Sequence, residues 1–290
     1  MAAGFQIQVD AEVALVSLDV GPRDLQSPLL ADFTLAWNTY LRESDSDYGN
    51  AIAVDESGNV YVAGEIGSDS SMPWSGCSGN SDAFVAKFSG NGDSRWNTVL
   101  GGSGYDCATG IAVDQERNVY VTGESGASWG DSPLRAYTAR RDTFVAGLDS
   151  DGALMWNTFL GGSSWDEGGD IAVDSGASVY VAGEDYTTWG SPVRAHSTCY
   201  TDSFAARLDN NGNLTWNTFL GGSDYDVSCA IALDDIGNVY LAGVSEGGWG
   251  SPVRPYTSGT DAYVAKLGPW FNRYFPVVTR NYTGPWIVIR

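Results

Sequence analysis

Gly110-Ile111-Ala112-Val113-Asp114-Gln115-Glu116-Arg117-Asn118-Val119-Tyr120-Val121-Thr122-Gly123 holds two short apolar runs around a polar turn. Runs of this length, rich in β-branched and aromatic residues and bounded by Asp, Asn and Gly, read as strands joined by a hairpin. Val119-Tyr120-Val121 is apolar at consecutive positions, so both faces of its sheet are expected to be buried. The same pattern recurs along the chain. I-A-[VL]-D begins at Ile52, Ile111, Ile171 and Ile231, and [NS]-V-Y-[VL]-[AT]-G begins at Asn59, Asn118, Ser178 and Asn238. Two further runs keep the same spacing. D-x-[FY]-[VA]-A begins at Asp82, Asp142, Asp202 and Asp261, and Trp-Asn-Thr at Trp37, Trp96, Trp156 and Trp216.

A period of about 60 residues carrying four apolar segments marks a repeat architecture. No segment sustains a 3.6-residue period, so the reading contains no helix. Turns such as Asp55–Asn59, Asp149–Gly152 and Asp209–Gly212 supply the Gly and Asn that tight hairpins use. Four antiparallel strands per repeat, sandwiched on both faces, form a β-propeller blade. The repeat resembles the bacterial SBBP β-propeller repeat family in Gly110-Ile111-Ala112-Val113-Asp114 and in Asp82-Ala83-Phe84-Val85-Ala86-Lys87. The resemblance covers residues about 33–268 and implies the fold rather than a role. Blade 1 departs from it, with Arg42-Glu43 in place of Gly101-Gly102, Gly161-Gly162 and Gly221-Gly222.

With strands lettered A to D within a repeat, the chain has four A, four B and four C strands, and a D-type segment, Leu35–Leu41, before the first A. The expectation is an all-β propeller of four blades, the N-terminal strand closing the last one and removing two sheet edges. Five blades are the alternative, with Ile7–Asp10 and Val13–Leu18 as degenerate A and B strands. The domains read as an N-terminal extension over 1–33, a propeller over 34–268 and a tail over 269–290. The extension is read as a remnant of an upstream β domain.

The chain has 290 residues, with Lys+Arg 15 against Asp+Glu 36 and a net charge of −21. Such a surface repels phosphate backbones, which sets nucleic acid aside as a partner. The single histidine, His196, removes most triad and metal-hydrolase chemistry. No apolar run reaches the ~18 residues of a membrane helix, and the start lacks the pattern of a signal peptide. Cys77 and Cys107 are 30 residues apart, as are Cys199 and Cys229. Two equivalent pairs point to the disulfides Cys77–Cys107 and Cys199–Cys229, hence to an oxidising compartment. The expectation is therefore an extracellular or cell-surface protein, this chain being a fragment whose export signal lies upstream. The absence of a C-x-x-C spacing argues against zinc.

Three B–C loops carry a Trp-Gly…Pro…Arg block, at Trp129 to Arg135, Trp189 to Arg194 and Trp249 to Arg254. An indole stacks on a sugar face and a guanidinium forks onto carboxylate, so these six residues are the candidate ligand set. The competing reading packs Trp and Pro between blades. Asp47, Asp106, Asp166 and Asp226 enter the A strands and form a candidate carboxylate ring for Ca2+ or another cation at the central channel. The competing reading has each Asp capping a turn. Glu65, Glu124 and Glu184 follow the B strands toward the same face. The turns ending in Trp156 and Trp216 are similar to the Asp-box turns of sialidases, but no convergent arginine triad can be mapped. A unique site belongs where repeats differ: Trp165, Arg140-Arg141, His196 with Tyr200, and Ser68–Ser75. The expected role is a non-catalytic module binding a glycan or protein, with no required cofactor. The alternatives are a polysaccharide-acting enzyme using face carboxylates, and a purely structural array of a larger surface protein.

Overall fold

A computed structural model describes residues 35–41, 46–67, 81–197 and 200–268. The chain divides into two units, Met1–Asn38 and Thr39–Arg290, and every described strand lies in the second. Blade 1 comprises β1 (Asp47–Val54), β2 (Val60–Gly67), β3 (Ser81–Phe88) and β4 (Ser94–Leu100). Blade 2 comprises β5 (Asp106–Val113), β6 (Val119–Ser125), β7 (Asp142–Leu148) and β8 (Leu154–Leu160). Blade 3 comprises β9 (Asp166–Val173), β10 (Val179–Asp185), β11 (Asp202–Leu208) and β12 (Leu214–Leu220). Blade 4 comprises β13 (Asp226–Leu233), β14 (Val239–Ser245) and β15 (Asp261–Leu267). Each blade is an antiparallel meander in chain order, and no helix occurs among the described residues.

The repeat motif is legible atom by atom. The aspartate ending each A strand anchors the A–B turn. Asp114 accepts the Asn118 amide through Oδ1 at 2.8 Å, and the Tyr120 hydroxyl through Oδ2 at 3.0 Å. Asp55, Asp174 and Asp234 repeat the hydroxyl bond with Tyr61, Tyr180 and Tyr240. The glycine ending V-Y-V-x-G faces a bulge, where the A strand crowds it. A Cβ at Gly123 would stand 1.9 Å from the Cys107 carbonyl oxygen, and one at Gly183 2.0 Å from that of Glu167. In the D strands, Asn157 and Asn217 donate to the backbone oxygens of Trp129 and Trp189. Trp96 Nε1 donates to Ser150 O of the next blade at 3.0 Å.

The core lies between blades. One cluster joins Tyr61, Ala63 and Val85 of blade 1 to Ile111, Val119 and Val121 of blade 2. A second joins Tyr120 and Val145 to Ile171, Val179 and Val181, and a third joins Tyr180 and Ala205 to Ile231, Val239 and Leu241. The innermost strands pack in succession, β1 on β5, β5 on β9 and β9 on β13; no comparable packing returns from β13 to β1 among the described residues.

The closing strand is a correction. Residues 35–41 form no strand, and β15 pairs with β14 alone among the described strands. Leu41 packs beside Ile66, Phe84 and Phe88 of blade 1. In sequence, Arg42 takes the repeat position of Gly101, where a Cβ would lie 2.4 Å from Asp82 Oδ1 and 2.8 Å from Asp106 Oδ2. The degenerate strands expected over residues 7–18, the extension over 1–33, the loop 68–75 and the tail over 269–290 lie outside the described residues.

Candidate functional site

The expected ligand set does not form a surface. Trp129 is 7% exposed and Trp189 5%, each edge-on to two phenylalanines, Phe144 and Phe159 or Phe204 and Phe219. Trp249 is half-buried against Tyr263. Arg135 donates to Phe159 O at 3.2 Å, and Arg194 to Phe219 O and Gly221 O. Only Arg254 of the three arginines is described without such a backbone bond, on an exposed loop. The indoles are core because the loop carrying each folds back over its own C and D strands, where aromatic faces already wait.

Three aspartates of the expected carboxylate ring serve local turns. Asp106, Asp166 and Asp226 are fully buried, one in each of blades 2 to 4, and accept the amides of Gly102, Gly162 and Gly222. Asp106 also accepts the Ser125 hydroxyl, and burial still pushes its carboxyl up to about 6. Asp47 is half-buried at the start of β1. Each of the three therefore caps its own Gly-Gly turn. No group of three His, Cys, Asp or Glu suited to a metal occurs among the described residues. Cys107 and Cys229 are free thiols, the first buried and the second exposed, while Cys77 and Cys199 lie outside the described residues. Burial pushes the Cys107 thiol up to about 12. His196 rests edge-on against Phe219, with Nε2 3.1 Å from Asp185 O.

What does distinguish one blade is a pair of rungs in blade 3. Antiparallel pairing sets Glu167 opposite Glu184 and Asp166 opposite Asp185. The equivalent rungs are Cys107 with Glu124 and Asp106 with Ser125 in blade 2, and Val227 with Val244 and Asp226 with Ser245 in blade 4. Like charges directly opposite across strands oppose pairing. Asp166 and Asp185 are fully buried, and no N–H or O–H reaches Asp166 Oδ1 or Asp185 Oδ2. Burial raises both carboxyls, and the neighbouring Asp166 raises Asp185 further.

The second rung is half-buried, with Glu184 Oε2 out of reach of water and of any donor. Burial and then the charge of Glu167 push Glu184 up to about 7, although Tyr225 donates a hydrogen bond to it. Burial and Glu184 in turn push the Tyr225 phenol up to about 12. Tyr186, exposed, feels both glutamates. Glu124 is raised by burial and by Glu167, against an ion pair with Arg141 at 2.6 Å. That arginine lies between the rings of Tyr105 and Trp165, 4.8 Å from each centroid. Tyr105 donates to Glu65 Oε2 at 2.8 Å. Trp165 occupies the position of Tyr105 and Tyr225 but has no hydroxyl to offer Glu124, and Arg141 takes over that role. The result is an asymmetric surface of Trp165, Tyr186, Glu167 and Glu184.

Trp165 and Arg141 were singled out as breaks in the repeat; Glu167, Asp185 and Tyr186 were not. Aligning the four repeats column by column exposes them, since Tyr48, Cys107, Glu167 and Val227 share one column and Ile66, Ser125, Asp185 and Ser245 another.

The profile of the SBBP β-propeller repeat matches residues 37–70 and 96–128. Regulatory protein FlaEY of Caulobacter vibrioides is 30% identical over 157 residues, covering 51% of this chain and 16% of that protein. An uncharacterized WD repeat-containing protein, L264, of Acanthamoeba polyphaga mimivirus is 24% identical over 178 residues, covering 51% of this chain and 13% of its own length. The chain thus spans under a fifth of either relative.

Proposed function

We propose that this chain, which carries SBBP β-propeller repeats, is a non-catalytic binding module presented outside the cell. Its contact surface in this reading is the blade 3 cluster of Trp165, Tyr186, Glu167 and Glu184. One observation carries the reading: two glutamates share a rung that the other blades fill without paired charges. A scaffold alone gains nothing from a like-charged rung, whereas a site for a cationic group does. Exposed aromatic faces beside carboxylates suit a lysine or arginine side chain of a protein partner. The net charge of −21 adds long-range attraction for such a partner and suits a soluble exterior module.

The test is binding of lysine- and arginine-rich peptides, measured by calorimetry beside a glycan array. Changing Glu167→Gln with Trp165→Ala is expected to weaken peptide binding roughly tenfold or more, with strong salt dependence. Peptide binding indifferent to these changes, or glycan binding alone, overturns the assignment.

A polysaccharide-acting enzyme is the second reading. Glu184, at about 7, is half-protonated near neutrality, as a general acid requires. Among the described residues, cavities between blades include one of about 370 Å3 beside Arg135 and Trp216, and another lined by Arg207, Trp216 and Lys266. Neither includes Glu167 or Glu184. Polysaccharide turnover that disappears in Glu184→Gln would establish this reading in place of the first.

A further inference from the structure

The three blade junctions are copies of one interface. On its trailing side stand a B-strand tyrosine (Tyr61, Tyr120 or Tyr180) and a C-strand apolar residue (Val85, Val145 or Ala205). On its leading side stand the A-strand isoleucine of the following blade, Ile111, Ile171 or Ile231, and two B-strand aliphatics. The fit is close: Ile171 is 4% exposed and Val145 0%.

Both sides recur uncovered in blades 1 and 4 among the described residues. Blade 4 carries the trailing set as Tyr240, Ala242 and Val264, and Val264 is 79% exposed. Ala262 and Lys266 beside it are exposed too. Blade 1 carries the leading set as Ile52, Val60 and Val62, and Ile52 is 68% exposed, with Val54 also exposed. Lys87 shows what the trailing side does with its charge. It stands over the Tyr61 ring and donates to Ser150 O of the next blade at 3.3 Å. Lys266 stands over Tyr240 in the same way, with no further blade packed beside it among the described strands.

We propose that the chain associates head to tail, the trailing side of blade 4 docking on the leading side of blade 1 of a second copy. The occupant is specified by the interface itself. The chain repeats this junction three times between its own blades, and a second copy offers the missing half in the matching register. The contact is heterologous, so two copies can close on each other or a longer series can form. Each contact removes Ile52, Val54 and Val264 from water together, and gives Lys266 a turn carbonyl to bond. This inference does not depend on the blade 3 site.

The experiment is light scattering after size exclusion, in reducing buffer so that the exposed thiol of Cys229 forms no cross-links. The wild type is expected to show a mass above the monomer that rises with concentration. Ile52→Asp and Val264→Asp each place a charge at the contact and are expected to give monomers, since every head-to-tail contact then holds one damaged side. Mixed in equal amounts, the two variants retain one intact pair of sides and should form a one-to-one dimer, whereas the double variant should not. Both sites are exposed, so the fold should survive; near-ultraviolet circular dichroism checks it, and Ile52→Thr and Val264→Thr should weaken association in the same direction. A monomeric wild type means the sides are covered within one chain and overturns the proposal. So does an oligomer that persists in both single variants, or a mixture that fails to pair.

Discussion

At position 185 blade 3 places a carboxyl where blades 2 and 4 place the hydroxyls of Ser125 and Ser245. The hydroxyl of Ser125 donates to Asp106, whereas Asp185 can bond Asp166 only while one of the two keeps a proton. Both carboxyls are raised by burial, so above the ordinary carboxylate range the folded chain binds more protons than the unfolded one. The contribution of the pair is therefore full in acid, below about 4, and is lost as pH rises toward the folded values. Asp185→Ser restores a neutral donor and reduces that dependence, since Asp166 stays buried as Asp106 is beside Ser125. The variant is expected to be more stable than the wild type by about 1–3 kcal/mol at about pH 8, with a flatter stability profile between about pH 5 and about pH 8. Urea midpoints at the two pH values measure this, and a variant less stable at the higher pH would contradict it.

The hairpins differ in how much each hangs on a single side chain. In the A–B turn Asp114 accepts the amide of Asn118, its side-chain amide and the hydroxyl of Tyr120, a ring almost wholly buried. In the C–D turn Asp149 is half-buried and its carboxylate accepts only the amides of Asp151 and Ala153. Losing the first leaves a phenol without its acceptor beside the blade junction, and losing the second leaves groups that water can reach. Asp114→Ala is expected to cost about 2–3 kcal/mol and Asp149→Ala about 1 kcal/mol, read from chemical denaturation. Equal costs would mean that the tyrosine bond adds nothing to the element.

Across the whole chain the net charge is −21, while ion pairs are few among the described residues: Arg95 with Asp93, Arg117 with Asp55, and Arg141 with Glu124. Self-repulsion thus outweighs pairing, and screening should favour the compact state. Raising sodium chloride from about 0.05 M to about 0.5 M is expected to lift the thermal midpoint by several degrees, on the order of 1 kcal/mol for a domain of this size. A midpoint that falls with salt would place the ion pairs above the repulsion.

Strand positions, turn positions and the blade period were readable directly from the residues, because they rest on neighbours a few positions apart. Asp114 reaches Asn118 and Tyr120 along its own hairpin, and Gly123 yields to the strand paired beside it. The fate of the loop tryptophans was not readable. Trp129 and Trp189 sit in the same motif as a surface anchor would, and only the strands beneath them decide that they are buried. Equivalent positions fared the same way. Ile52 and Ile171 share a motif, yet one is 68% exposed and the other 4%, because burial depends on a blade lying about 60 residues away in sequence. The closing strand was not readable either: Leu35–Leu41 has the D-strand pattern, yet residues 35–41 form no strand. Local hydrogen bonding and alternation belong to the sequence; which faces meet, and which carboxylates are forced together at Glu167 and Glu184, belongs to packing between strands and blades.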